Sequence, residues 1–170
     1  FKRGVRLTSD GFESVPLAKL SSAAGEPDEP VAAIHLHVTG DITGDILLAF
    51  PERVALQLVD IVIGAPVGTS TEFTELEQSC LQETGNIVGS AFANSLASWL
   101  NLEVTPRSPN FVHDLAAAVI EPLIVDHASQ SDEALMARTE FELDGEAVDW
   151  RFILIPSTES METIKTRCDT

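Results

Sequence analysis

Between residues 31 and 50, polar positions interrupt apolar ones with a period of two through Ala33, Ile34, His35, Leu36, His37 and Val38. The pattern breaks at Gly40, Asp41 and Gly44 and resumes through Ile46, Leu47, Leu48, Ala49 and Phe50. Two such runs around a glycine-bearing turn predict a β-hairpin. The period then lengthens. Pro51 and Glu52 open a stretch in which Val54, Ala55, Leu58, Val59 and Val62 recur at helical spacing, and proline suits a helix start. This helix should end near Gly64. Residues 134–164 repeat the layout, with Ala137, Thr139, Phe141 and Leu143, a turn at Asp144-Gly145, a strand from Val148 to Ile155, Pro156, and then Met161 and Ile164.

The two stretches share one offset. Gly40 and Gly145, Leu47 and Phe152, Pro51 and Pro156, Leu56 and Met161, and Val59 and Ile164 all differ by 105. A single shift serving glycines, prolines and apolar positions together predicts a duplicated unit with pseudo-two-fold symmetry. A first pseudo-repeat then spans residues 1–70 and a second spans 71–170, within one domain of residues 1–170. The second holds the longest helix candidate, from about Glu72 to Leu100. Phe73, Cys80, Ile87, Val88, Ala91, Phe92 and Trp99 share one broad face of it and are expected to be buried. Subtracting 105 puts the matching first-unit helix mostly before residue 1, so the first repeat is expected to lack it. That Phe1 is not an initiator Met agrees with this. Residues 25–30 and 126–133 have loop composition and precede the two hairpins.

The fold class that follows is α/β (α+β): two pseudo-symmetric units whose hairpins join into an antiparallel-rich sheet, with the long helix packed on one face. The chain's 170 residues, 44% of them hydrophobic, suit one domain with a real core. No apolar run approaches the roughly 18 to 20 residues that cross a bilayer, and the N-terminus has no signal-type segment. A cytoplasmic protein without membrane insertion is therefore expected. The charge narrows the partners. Against 27 acids stand 10 bases, a formal net charge of -17, which repels nucleic-acid phosphates and anionic lipids. Lys2, Lys19 and Lys165 are the only lysines and the acids are dispersed. That reads as adaptation to a high-salt cytoplasm, where the Debye length shrinks to about 3 Å, and less well as a face for a basic partner, which would cluster its acids. Cys80 and Cys168 make no disulfide framework and are expected to be free thiols.

Ser79, Glu83, Asn86 and Ser90 follow one another at spacings of four, three and four. At about 100° per residue they occupy an arc of roughly 60°, a polar stripe pointing away from the apolar face. Ordinary solvated helix faces show the same pattern. Less ordinary are Gly85 and Asn86, both poor helix formers, in the middle of a long helix.

Ser79, three residues, Glu83, two residues, Asn86, then 22 residues and Pro109: this spacing resembles the signature of the CheC/CheX/FliY family of chemotaxis phosphatases. The string from Leu81 to Gly89 resembles that family's motif helix, and the duplicated hairpin-helix layout resembles its fold. The resemblance covers nearly the whole chain. It implies hydrolysis of the aspartyl phosphate of a CheY-type response regulator, with Mg²⁺ held by the regulator and no cofactor or metal on this chain. Within that scheme Asn86 orients the attacking water and Glu83 pairs with the regulator's active-site lysine. Ser79 and Ser90 contribute to docking, and Pro109 is structural, ending a loop or beginning a strand. CheC-type proteins usually carry two such helices, and this chain shows one complete motif. The family further implies the deamidase CheD as a partner through the helix after Pro51, a contact the residues do not establish. With the acidic composition, the resemblance points to a halophilic archaeal source.

Two rivals stand beside this reading. One is a non-catalytic adaptor of the same fold, binding CheD or a flagellar switch component; an intact Glu83/Asn86 pair argues against it. The other is a metal hydrolase using His35 and His37, which share a strand face but have no third ligand identifiable from spacing. Asp41 and Asp45 flank Gly44 without calcium-loop spacing and read as solvated turn acids. No glycine-rich phosphate loop, nucleophile elbow or Cys-x-x-Cys motif is present.

Overall fold

The computed structural model describes residues 6–9, 12–23, 25–129, 132–143 and 146–169. Strands β1 (Arg6–Ser9) and β2 (Glu13–Pro16) lead through a short 3-10 turn into α1 (Leu20–Ala23). The hairpin β3 (Pro30–Gly40) and β4 (Gly44–Pro51) follows, then α2 (Glu52–Ile63) and α3 (Glu75–Leu100). Next come β5 (Val104–Pro106), β6 (Asn110–Leu115), α4 (Ala116–His127), the hairpin β7 (Glu133–Leu143) and β8 (Glu146–Pro156), and α5 (Thr158–Cys168). Both hairpins and the helices after Pro51 and Pro156 stand where the alternation predicted them. The turn at Asp144-Gly145 lies outside the described residues. Gly64 closes α2 with φ 75°, a left-handed cap that suits glycine. Ser157 caps α5 by accepting the Ser160 backbone N–H.

Among the described residues, eight strands form one antiparallel sheet. Its order reads alike from both ends: a broken edge strand (β1/β2 or β5/β6), then a hairpin, with β8 and β4 joined at the centre. There Leu47 faces Ile153 and Leu48 faces Phe152, so Leu47 and Phe152, related by the 105 offset, lie in neighbouring cross-strand pairs. Gly44 opens β4 where a Cβ would sit 2.2 Å from the Ile155 carbonyl oxygen, a closeness only glycine allows.

Helices cover both sheet faces. On one side α2, α3 and α5 close over Ile34, Leu36, Leu48, Trp150 and Phe152, where Phe50 and Trp150 stack 5.0 Å apart. On the other, α4 and α1 close over Ala33, Leu47, Ile153 and Ile155. Burial on both faces explains why β4 runs apolar from Ile46 to Phe50 without alternation. The hydrophobic pattern does not predict α4, β5 or β6, and α4 extends two residues into the loop expected from residue 126. Among the described residues, no helix is long and apolar enough to cross a membrane.

The buried face of α3 differs from expectation. Its buried positions are Leu81, Thr84, Gly85, Gly89, Ala93 and Leu100, while Phe73, Cys80, Val88 and Phe92 of the expected face pack partly buried against the same core. Ile87 is 48% exposed and Trp99 69% exposed, and Ala91 is exposed as well. The expected face was thus rotated by roughly a quarter turn, because glycines were left out of the apolar count although they are the points of contact. Trp99 instead lines an open apolar groove of about 760 Å³, with Phe12, Phe92, Leu135 and Ile164.

Candidate functional site

The helix that carries the polar stripe is fixed at both ends. At Thr74 a capping box closes its N-terminus: the Thr74 backbone N–H donates to Glu77 Oε2 at 3.0 Å, and the Thr74 side chain takes the reciprocal bond. Asn101, at φ 53°, caps the other end in the left-handed conformation. The connection from α2 is tied down by Asp60, which is fully buried and accepts backbone N–H bonds from Gly68, Thr69 and Ser70 at 2.7, 3.0 and 2.9 Å. Burial alone would raise the Asp60 pKa. The bonds from Ser70, Gly68 and Thr69 outweigh that and hold it below the usual carboxylate range.

Gly85 and Gly89 set the roll of α3. A Cβ on Gly85 would lie 2.3 Å from Ile34 Cγ2, and one on Gly89 3.0 Å from Leu36 Cδ2. Bare backbone therefore rests on β3, and the poor helix propensity of Gly85 is explained by that approach. With this line against the sheet, Asn86 and Ser90 are half-buried at the flank and Ser79 and Glu83 are exposed. The four fall on one side of the helix as the spacing predicted. Among the described residues, no hydrogen bond or ion pair engages the side chains of Glu83 or Asn86. The stripe has apolar neighbours: Ile87, expected in the core, stands exposed beside Asn86, and Leu76 is 60% exposed one turn before the stripe.

Pro109 lies in the break between β5 and β6, immediately before Asn110 opens β6. There Pro106 pairs with Val38 and Asn110 with His35, so residues 107–109 stand opposite only Leu36 and His37, a bulge of one residue. Leu36 is the side chain that Gly89 touches. The far end of the spaced motif thus reaches the strand position beside the one on which α3 rests.

His35 and His37 do not form an open pair. Both turn to Asp45, at 2.5 Å from His35 Nε2 and 3.2 Å from His37 Nδ1, and His127 at the end of α4 binds the other carboxylate oxygen. Asp45, expected to be a solvated turn acid, is 8% exposed. Burial raises its pKa, and the bonds from His127, His35 and His37 bring it well below the usual range. Asp41 is exposed, as expected, and accepts the Glu103 backbone N–H at 2.8 Å. Cys80 and Cys168 are both free thiols.

An exposed carboxylate and an amide one turn apart on a rigid helix can engage a cation and a water molecule presented by another molecule. By themselves they make no enclosed pocket. That chemistry suits a site completed by a partner's surface.

No protein-family model matches the chain. In sequence it is similar to the CheY-P phosphatase CheC of Bacillus subtilis, 28% identical over 160 residues that make up 88% of this chain and 77% of that protein. In fold it is similar to FliY of Thermotoga maritima, with a TM-score of 0.76 at 15% identity over 97% of this chain and 82% of that one. It is also similar to a chain of the FliG-FliM complex of H. pylori, with a TM-score of 0.66 at 13% identity over 95% and 82%. The structural likenesses show the antiparallel α+β fold.

Proposed function

We propose that this chain hydrolyses the aspartyl phosphate of a CheY-type response regulator, with Asn86 orienting the attacking water. The observation that carries the reading is the Glu83/Asn86 pair itself: an exposed carboxylate and a half-buried amide, free of intramolecular bonds among the described residues, and set on a helix whose roll is fixed by two glycine contacts. The 28% identity to a CheY-P phosphatase supports it.

The residue types fit the reaction. An acyl phosphate already has a good leaving group and chiefly needs a water held for in-line attack. An amide both donates and accepts, and unlike a carboxylate it does not repel the phosphoryl oxygens. Asn86, half-buried at the helix flank, keeps few rotamers and so loses little entropy on positioning that water. Glu83, farther out, is free to pair with a lysine beside the regulator's phosphorylation site and fix the docking angle. Ser79 and Ser90 extend the docking stripe. Mg²⁺ belongs to the regulator in this scheme, and this chain contributes no cofactor. CheD is a second partner in this reading, at α2.

The acid excess suits this protein to the high-salt cytoplasm of a halophilic archaeon. The 105 offset and the palindromic sheet order fit descent from a duplicated unit, with its two-fold axis between β4 and β8.

A second reading, a non-catalytic adaptor for a flagellar switch component, has one observation in its favour: the fold likeness to a chain of the FliG-FliM complex. The two separate on one experiment. Phosphorylated CheY-type regulator is mixed with catalytic amounts of this chain in high salt with Mg²⁺, and phosphate release is followed. Turnover supports the phosphatase; stoichiometric binding without turnover supports the adaptor.

A further inference from the structure

Three of the chain's four histidines gather on one carboxylate. We propose that His35, His37, His127 and Asp45 bind a divalent transition-metal ion of the Zn²⁺ class, which staples α4 to the β3–β4 hairpin. The site is unrelated to the stripe on α3. His35, His37 and Asp45 alternate with Ala33 and Leu47 on the sheet face that α4 covers, whereas α3 packs on the opposite face.

Sequence and register build the cluster. His35 and His37, two apart on β3, point to the same face, and Asp45 on β4 is the direct cross-strand partner of His37. His127 ends α4, whose Ala116, Val119 and Ile120 are buried in the same core. Side-chain exposures of 28% for His35, 13% for His127 and 11% for Asp45 leave a largely dehydrated centre, and His37, at 52%, forms its solvent side. Three imidazoles and a carboxylate are a borderline donor set that suits Zn²⁺, and four protein donors make a closed, structural site.

The donors now touch one another through hydrogen bonds, and in these positions no group of three among the described residues is spread to hold an ion. Binding requires these contacts to open. With Zn²⁺ bonds of about 2.0 to 2.1 Å, tetrahedral donors stand roughly 3.3 Å apart, against 3.2 Å from His37 and 2.5 Å from His35 to the same Asp45 oxygen. On uptake, each ring nitrogen facing Asp45 presents its lone pair to the metal and carries its proton on the other nitrogen. A neutral imidazole then releases no proton and an imidazolium releases one. Two strands and a helix are joined where a single buried carboxylate joined them before.

The test is Zn²⁺ binding to the 170-residue chain after dialysis against chelator, in molar salt to suppress adsorption on the acidic surface. Metal content and the visible spectrum of the Co²⁺-substituted protein are the readouts. The expected result is one equivalent of metal per chain and tetrahedral Co²⁺ bands. Affinity should fall in His35→Gln and in His127→Gln by at least the roughly 10- to 100-fold that loss of an outer hydrogen-bond partner costs a metal site. His113→Gln, which alters the one histidine outside the cluster, should change nothing. If His127→Gln does not fold, His37→Gln at the half-exposed position serves in its place. Absence of Zn²⁺ uptake by the wild type, or uptake equal in the cluster variants and in His113→Gln, overturns the proposal. Because Asn86 lies on the other sheet face, the phosphate-release assay is expected to run equally with and without bound Zn²⁺, so either reading can fail alone.

Discussion

Gly85 of α3 lies so close to Ile34 of β3 that a Cβ on it would come within 2.3 Å of the isoleucine Cγ2 and 2.8 Å of its Cβ. That contact decides which way Glu83 and Asn86 face, since both ride on the roll of a helix that has no freedom to turn there. Gly85→Ala forces the helix or Ile34 to move. Overpacking of this kind costs about 1 to 3 kcal/mol, and thermal unfolding should register it. Phosphatase activity should fall further than the lost stability explains, because Asn86 moves with the backbone. The pairing Gly85→Ala with Ile34→Ala, which removes the Cγ1 and Cγ2 atoms that the new Cβ would meet, should restore part of the activity.

The rotation of α3 has a stability signature of its own. Ile87, 48% exposed, should tolerate serine within about 0.5 kcal/mol. Leu81, 1% exposed, should lose about 2 to 5 kcal/mol on truncation to alanine. Chemical denaturation of the two variants checks this directly; the face expected from the apolar pattern alone requires Ile87 to be the costly one.

Much of the architecture was legible because its signals are local. The first hairpin announces itself through alternation around Gly40 and Gly44, the second through its repeat at the offset of 105, and α2 through Pro51 and Gly64. The stripe of Ser79, Glu83, Asn86 and Ser90 needed only the 3.6-residue period. What stayed hidden depends on distant partners or on residues that break a rule. Pro122 sits inside α4 and argues against a helix from sequence, while Pro106 and Pro109 mask β5 and β6, which tolerate them as edge strands. Asp45 reads as a turn acid until His127, 82 positions away, closes over it. Gly85 and Gly89 look like interruptions of an apolar face, and a count of hydrophobic residues cannot show that they are its centre.

Asp60 should govern the acid limb of stability. Its pKa in the fold is held below the ordinary value, so the carboxylate contributes stability above its unfolded pKa of about 3.9, and that contribution is lost as pH falls through the folded value. Asp45 acts with the same sign. Asp60→Asn, which weakens three bonds to a charged acceptor, should cost about 2 kcal/mol at neutral pH. It should also flatten the loss of stability below about pH 4. Melting temperatures across pH 2 to 7 for both proteins provide the check; an unchanged acid slope contradicts the role given to Asp60.

Glu83 and Asn86 should separate kinetically. Glu83→Gln keeps shape and removes charge, so it should weaken docking, raising KM by on the order of tenfold, equivalent to about 1.4 kcal/mol, with kcat little changed. Asn86→Ala should act on kcat. Saturation curves with phosphorylated regulator distinguish the two patterns, and equal effects on kcat and KM in both variants contradict the division of roles.

The most direct measurement is the decay of a phosphorylated CheY-type regulator in molar salt with Mg²⁺, alone, with this chain, and with its Asn86→Ala variant at matched folding by circular dichroism. The account predicts acceleration by the wild type and, once Asn86 is removed, a fall of on the order of 100-fold or more toward the spontaneous rate, the scale of a lost positioning group. Equal acceleration by wild type and Asn86→Ala, or none by the folded wild type, contradicts it.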